Sequence, residues 1–458
     1  MPERARTPAP ARKRPAHRGR RPAKLARVER DRRKSRRTRL AELSEPLQWV
    51  RPAEAAAPAP TRAPPRRLHV LMVGWEFPPS HSGGLGVHSY ELVRELSRMG
   101  HRVSFLLPYA GEYTQVPGVE ILWPGAVRPR RAGAAAPGRR LGAYDRPLSP
   151  SDGFLESVGS FTEWVARFES EVPVDVVHVH DWFGTEGGSR LARRLRRPLV
   201  FTVHSTEYDR SLGHPWQEIL EREQLGLRQA DRVIAVSKHL KQQLVERYGA
   251  RADRIKVIYN AVRAPERVAR ISPERPTVLY LGRLAAMKGV DTFLRAAAQV
   301  APQLPDVLFV VAGEGPEYPR LLALAAHLGI ADRTLFLGRV TDEERTSLLA
   351  RADVFVLPSV VEPFGIAALE AMASGVPTIL SKTSGVAEVA GHAFAVDFWD
   401  IDEYASRMAE LLSYPALRHT MGDLGRIQAL TTGWAERAFE TVTVYFDAIA
   451  GHRAGSGR

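Results

Sequence analysis

Several stretches of this sequence put charged or basic side chains where an apolar run ends. Gly282-Arg283 stands five residues before Lys288-Gly289, just past the run Val278–Leu281. Two cations converging at one end of a strand suit a diphosphate; a pair of exposed charges flanking a turn also fits. Glu362-Pro-Phe364-Gly365-Ile366-Ala-Ala-Leu-Glu370 follows the run Val354–Leu357. Ile366, Leu369 and Met372 have helical spacing, which predicts a helix beginning near Phe364 or Gly365. The first N–H groups of such a helix are open to a phosphate. Were the whole segment helical, Glu362 and Glu370 would stand roughly 12 Å apart. That exceeds the about 5–9.5 Å over which two carboxylates work on one glycosidic bond. It suits two carboxylates gripping opposite ends of an elongated ligand such as a sugar nucleotide. A solvated helix face also accounts for Glu370, but not for the Glu-Pro-Phe-Gly start.

The first half of the chain offers three more candidates. Gly83-Gly84-Leu-Gly86 follows a strand pattern and opens a helical one, so its backbone N–H groups can approach an anion. It is neither a Walker loop nor the G-x-G-x-x-G fingerprint, and a tight structural turn is the plain alternative. His178-Val-His180-Asp181-Trp182 ends the run Val174–Val179. His-x-His can ligate a metal, but no third and fourth ligand follow at sensible spacing, so no metal is expected. His204, in Val203-His-Ser-Thr-Glu207-Tyr-Asp209-Arg210, could hydrogen-bond a ligand hydroxyl. A satisfied core histidine is the alternative for either motif taken singly. Asp400-Ile-Asp402 has D-x-D spacing, but Asp400 reads better as a helix N-cap. Gly313-Glu-Gly315 lacks a third glycine and reads as a turn.

The elements that must carry these residues alternate. Leu68–Gly74, Val103–Leu107, Val174–Val179, Leu199–Val203 and Arg232–Val236 are short, nearly continuous apolar runs separated by helical patterns. Runs buried on both faces, alternating with helices, predict a parallel sheet. Residues 263–276 read as a linker. The alternation then restarts with Val278–Leu281, Val307–Ala312, Thr334–Leu337, Val354–Leu357 and Thr378–Leu380. The fold class is therefore α/β: two doubly wound Rossmann-like domains, 68–265 and 273–433, with ligands at the strands' carboxyl ends and a cleft between the domains. Residues 434–450 form a last helix with its own apolar stripe.

Composition narrows the functions. The 458 residues exceed one ordinary core. Without cysteine, disulfides, thiolate nucleophiles and Cys-ligated metals are excluded. No apolar run approaches the roughly 18 residues of a membrane helix, and no secretory pattern is visible, so a cytoplasmic protein is expected. The net charge of +14 is confined to one end. Residues 1–67 hold 21 basic and 6 acidic residues, the remainder 44 and 45. The Arg/Pro/Ala-rich tail 1–67 is expected to be disordered, with contact to nucleic acid or another anionic surface as its alternative use. Residues 128–150 read as a mobile loop.

Together these motifs resemble the retaining glycosyltransferases of family 4, which have the GT-B fold. Gly74-Trp-Glu-Phe-Pro-Pro, His178–Trp182, Ile234-Ala-Val-Ser237, Tyr259-Asn260, Gly282-Arg283 with Lys288-Gly289, and Glu362 with Glu370 occur in the family's order. The resemblance covers about residues 68–450. Thr206-Glu-Tyr-Asp-Arg-Ser and Val396-Asp-Phe-Trp-Asp-Ile are similar to a branch labelled glycogen or starch synthase. The resemblance implies that Arg283 and Lys288 neutralise the donor diphosphate and that Gly83 and Gly84 contact it from the opposite lobe. It implies that Glu370 binds the ribose hydroxyls, and that Glu362 contacts the transferred sugar beside the N–H groups of Phe364, Gly365 and Ile366. His204 would sit beside the reacting sugar, with His180 and Asp181 on the sugar and acceptor side. The catalytic set would be His204, Arg283, Lys288 and Glu362. No metal or other cofactor would be needed beyond the nucleotide sugar as co-substrate, and the last helix would cross back to the first domain. Asn260-Ala261 departs from the family's usual Asn-Gly, for which only a local turn effect is expected.

The leading function is transfer of a sugar, glucose first, from a nucleotide diphosphate sugar to an α-1,4-glucan. A family 4 transferase with a lipid, cell-wall or small-sugar acceptor is the alternative within the class. A GT-B epimerase and a nucleic-acid-binding protein acting through the tail are the alternatives outside it.

Overall fold

The computed structural model describes residues 66–79, 83–125, 152–265 and 275–456. Residues 1–65 of the tail, the 128–150 loop and the centre of the 263–276 linker lie outside these residues.

Two wholly parallel sheets carry the molecule. The first comprises β1 (His69–Val73), β2 (Arg102–Leu106), β3 (Val119–Leu122), β4 (Val176–His180), β5 (Leu199–Val203), β6 (Arg232–Ala235) and β7 (Ile255–Val257), in the order β3-β2-β1-β4-β5-β6-β7. The second comprises β8 (Thr277–Leu281), β9 (Leu308–Ala312), β10 (Thr334–Gly338), β11 (Val354–Leu357), β12 (Thr378–Ser381) and β13 (Phe394–Val396), in the order β10-β9-β8-β11-β12-β13. The central strands β1, β4, β5, β8 and β11 are buried along their whole length, as helices on both faces require. Each sheet reverses direction beside its first strand, between β1 and β4 and between β8 and β11. The carboxyl ends at such reversals are where doubly wound sheets bind ligands. Gly74, Asp181, Gly282 and Pro358 immediately follow those four strands.

Three strands were not foreseen: β3, β7 and β13. All are sheet edges: Glu120 and Lys256 interrupt the apolar residues of β3 and β7, and β13 is three residues long.

The last helix, Trp434–Ser456, runs beyond the expected end at residue 450. It does cross to the first sheet. Ala438, Val442, Tyr445 and Ala448 share a buried cluster with Val70 and Met72 of β1, Phe105 of β2 and Val200 of β5. The fully buried Tyr445 hydroxyl lies 2.7 Å from Nδ1 of His178, whose Nε2 is 2.7 Å from Oγ1 of Thr202. A polar triad this deep must be satisfied internally. Tyr445→Phe should cost about 1–3 kcal/mol by orphaning the buried imidazole nitrogen. Tyr445→Ala should cost about 3–5 kcal/mol through the added cavity. Denaturant unfolding measures both, and two variants as stable as the parent would exclude the helix from the first core.

Candidate functional site

One glycine brings two of the second sheet's loops together. Gly289 adopts φ +62°, and a Cβ on it would lie 2.1 Å from the carbonyl oxygen of Pro358. Only glycine allows that approach. The N–H groups of Val360 and Val361 then bond the carbonyl of Met287, at 2.9 and 3.2 Å. The loop after β8 is thereby zipped to the loop after β11. Lys288 Nζ meets Glu362 Oε2 at 2.7 Å, and the Ser359 hydroxyl donates to the same oxygen at 3.1 Å. Glu362 is buried, so its charge needs these partners. Arg283 is half-buried beside them, its carbonyl accepting from the Tyr280 hydroxyl at 2.9 Å.

The expected helix is present as Ile366–Ala373, capped by Gly365 at φ +107°. Glu362 stands outside it, in a bridge with Ser384, so the helical spacing assumed for the two glutamates does not apply. Glu370 is on the helix, half-buried, with Oε1 3.2 Å from Nη1 of Arg345. Burial raises its pKa and Arg345 opposes the rise. Phe364 is buried, its ring 6.2 Å from that of Tyr259.

Gly83 caps the helix Gly84–Arg98 of the first lobe in extended conformation. A Cβ on Gly84 would lie 3.3 Å from Cδ1 of Ile366. The first residues of two helices, one from each lobe, therefore lie side by side. The lobes are also bridged by Glu388. Its carboxylate accepts from the N–H groups of Lys238 and His239, at 2.9 and 2.8 Å, and from the Tyr259 hydroxyl at 2.9 Å.

His204 follows β5 and is half-buried. The Asp181 carboxylate accepts from its backbone N–H at 2.7 Å and from Ser205 N–H at 3.4 Å. Arg210 grips the other side of this loop, donating to the Ser205 carbonyl at 3.0 Å and hydroxyl at 2.8 Å. The guanidinium is itself paired with buried Glu207 and Glu223. The His204 Nε2 is 3.1 Å from Nδ1 of His180, which is fully buried. His88, one turn into the Gly84 helix, places its ring 4.4 Å from that of His204 and bonds Asn260 Oδ1 at 2.7 Å. One nitrogen from each of His88, His180 and His204 lies within 4.8 Å of the others.

The structure thus gathers Lys288, Glu362, Ile366 and Gly84 at the facing loops, and His180, Asp181 and His204 at the end of the first sheet. Asp400 accepts from Glu403 N–H at 3.0 Å, as an N-cap does, and Asp402 bonds Gln299. Sequence reasoning missed His88, Ser359, Arg345 and Glu388, and the bond that ties the motif residue Asn260 to His88. His88 sat within a helical pattern, Arg345 and Glu388 act through partners distant in sequence, and Ser359, three residues before Glu362, belonged to no motif. In space His180 has two histidines for neighbours, His88 and His204, while His178 is outside this group.

Burial holds His88 down to about 4 and His178 to about 3, the Asn260 bond opposing the first and the charge of His88 adding to the second. Burial likewise keeps His180 and His204 well below the usual imidazole value. The unfolded chain, titrating near 6.5, therefore binds more protons than the native one as the pH drops. This stability is complete above pH 6.5 and lost on the way down to about 3–4. His69 and His101 act in the same sense. Glu223, pushed up to about 7 by burial, with Glu91 and Glu370, acts in the opposite sense. The histidines outnumber these carboxyls, so the melting temperature should fall by several degrees between pH 6.5 and 4.5. A flat or rising profile would contradict neutral buried imidazoles.

Known proteins match both halves of the chain. The sequence family described as Glycosyltransferase Family 4 matches residues 82–264, and the one described as Glycosyl transferases group 1 matches residues 264–428. An uncharacterized glycosyltransferase of Methanocaldococcus jannaschii is 31% identical over 350 residues, covering 71% of this chain and 83% of that protein. The glycogen synthase of Mycobacterium tuberculosis is 30% identical over 422 residues, covering 84% and 96%. Among solved structures, sucrose-phosphate synthase from Thermosynechococcus elongatus matches with a TM-score of 0.72, covering 84% of this chain and 100% of that one at 22% identity. That last likeness concerns the fold. With two parallel Rossmann-like sheets, facing loops at their reversal points and relatives spanning most of its length, the chain belongs to the family 4 glycosyltransferases of GT-B architecture.

Proposed function

We propose that the protein transfers glucose from a nucleoside diphosphate sugar to an α-1,4-glucan, with retention of configuration and without a metal cofactor. The observation that carries this reading is Lys288 Nζ held on buried Glu362 beside the N-terminus of the Ile366 helix. These groups supply positive charge to a departing diphosphate and a carboxylate to the sugar next to it. The likeness to a mycobacterial glycogen synthase over most of both chains supports the glucan as acceptor.

In the proposed reaction the bond between the sugar's anomeric carbon and the diphosphate oxygen breaks, and the diphosphate keeps the electron pair. The acceptor hydroxyl adds to the same face, and its proton passes to the departing oxygen. Arg283, Lys288 and the helix N–H groups stabilise the charge that develops there. This is the work a divalent metal does elsewhere. His204 is kept neutral by burial, so it can hydrogen-bond a sugar hydroxyl without carrying charge. Asp181 and Arg210 hold its backbone, while Glu370 faces the ribose. The reading places the reaction in the cytoplasm, in keeping with a cysteine-free sequence and with no membrane-crossing helix among the described residues.

Lys288→Ala should slow transfer on the order of 10²-fold or more by removing leaving-group charge. Unchanged kinetics would remove Lys288 from the diphosphate site. The broader test supplies ADP-glucose, UDP-glucose, GDP-mannose and UDP-N-acetylglucosamine in turn, with and without glycogen. Glucose incorporation from one donor, undiminished by EDTA, is expected. Donor hydrolysis without incorporation would refute the glucan acceptor, and loss with EDTA would refute metal independence.

A further inference from the structure

We propose that His88, His180 and His204 form a binding site for a borderline transition-metal ion, Zn²⁺ foremost, whose occupation takes His204 away from the transfer reaction.

Three observations carry it. First, the nitrogens converge. One from each ring lies within 4.8 Å of the other two, and the His180 Nδ1–His204 Nε2 separation is 3.1 Å. Two nitrogens each about 2.0–2.1 Å from a tetrahedral zinc stand about 3.3 Å apart, so a metal can replace the hydrogen shared by that pair with little movement.

Second, the tautomer of His88 is fixed for ligation. Its Nδ1 lies 2.7 Å from Oδ1 of Asn260, which can only accept, so Nδ1 carries the hydrogen and Nε2 the lone pair. That Nε2 is buried and has no hydrogen-bond partner among the described residues. A histidine donating one ring N–H to a carbonyl while its other nitrogen is left buried and unpartnered has the outer-shell arrangement of metal ligands. His178 has no such freedom, since Tyr445 and Thr202 take both its nitrogens.

Third, the donor set selects the metal. Three imidazoles suit Zn²⁺, Cu²⁺, Ni²⁺ or Co²⁺ and do not suit Mg²⁺, which demands oxygen ligands. His88 and His180 are buried and His204 is half-buried, so the ion arrives on the His204 side. Three protein ligands leave a fourth position open.

The test uses the full chain stripped by chelator. Zn²⁺ binding is measured by equilibrium dialysis, and Co²⁺ by the visible absorption of a tetrahedral complex. About one ion per chain is expected, with Mg²⁺ in excess failing to compete. His88→Gln should abolish tight binding. Asn260→Ala, which keeps all three rings and frees the tautomer, should weaken it about 10–100-fold. His214→Gln and His419→Gln should leave it unchanged. Absence of stoichiometric binding, or binding indifferent to both the His88 and Asn260 variants, overturns the site. If His88→Gln does not fold, the Asn260 variant still decides.

The inhibitory half rests on the transferase reading: Zn²⁺ should suppress glucose transfer, and chelator should restore it. Stoichiometric binding at the triad with undiminished transfer overturns that half. Failure of transfer in metal-free protein would count against the transferase reading and leave the binding measurement intact.

Discussion

A carboxylate buried at the carboxyl end of a parallel strand has to be neutralised where it stands, and the second lobe is arranged around that need. Glu362 is buried, and Lys288 and Ser359 both bond its Oε2. Lys288 reaches it only because Gly289 presses against the Pro358 carbonyl and Met287 is bonded by Val360 and Val361. Breaking such a pair from one side leaves an uncompensated charge, so the two loops are energetically one unit. On the proposed reading, a diphosphate arriving beside this unit would meet a lysine already oriented, at less cost of ordering.

The first lobe meets a different version of the same constraint. The rings gathered beneath its loops are imidazoles that burial keeps neutral: His178 and His88 are hydrogen-bonded by Thr202, Tyr445 and Asn260, and His180 stacks on His204. Neutral groups tolerate burial that ions do not, so four histidines can sit beneath the loops without counter-ions. The loop that presents His204 is held from outside the ring cluster, by Asp181 on its N–H groups and by Arg210 on its Ser205 oxygens. Ring position and backbone position are thus set by separate sets of partners.

What could be read from the sequence followed the same physics. Central strands announced themselves because burial on both faces demands continuous apolar residues. The edges β3, β7 and β13 did not, because a charged residue interrupts the first two and the third spans three residues. Contiguous motifs such as Gly282-Arg283 to Lys288-Gly289, and Glu362 to Glu370, carried their own spacing. Partnerships closed by the fold carried none: nothing in the local sequence joins His88 to Asn260, Arg345 to Glu370, or Glu388 to the start of the Lys238 helix. The eight-residue spacing of Glu362 and Glu370 misled in one respect, since the helix begins only at Ile366.

The last helix has a consequence for biosynthesis. The first sheet is finished at Val257, yet the helix that covers part of its apolar face begins at Trp434. A ribosome adding about 5–20 residues per second needs roughly 9–35 s to make the stretch between. Throughout that interval Val70, Met72, Phe105 and Val200 await their covering helix, and His178 awaits the Tyr445 hydroxyl. The nascent first lobe therefore keeps part of its apolar face uncovered until the second lobe has been translated. A gene cut between the lobes would leave that surface open for good.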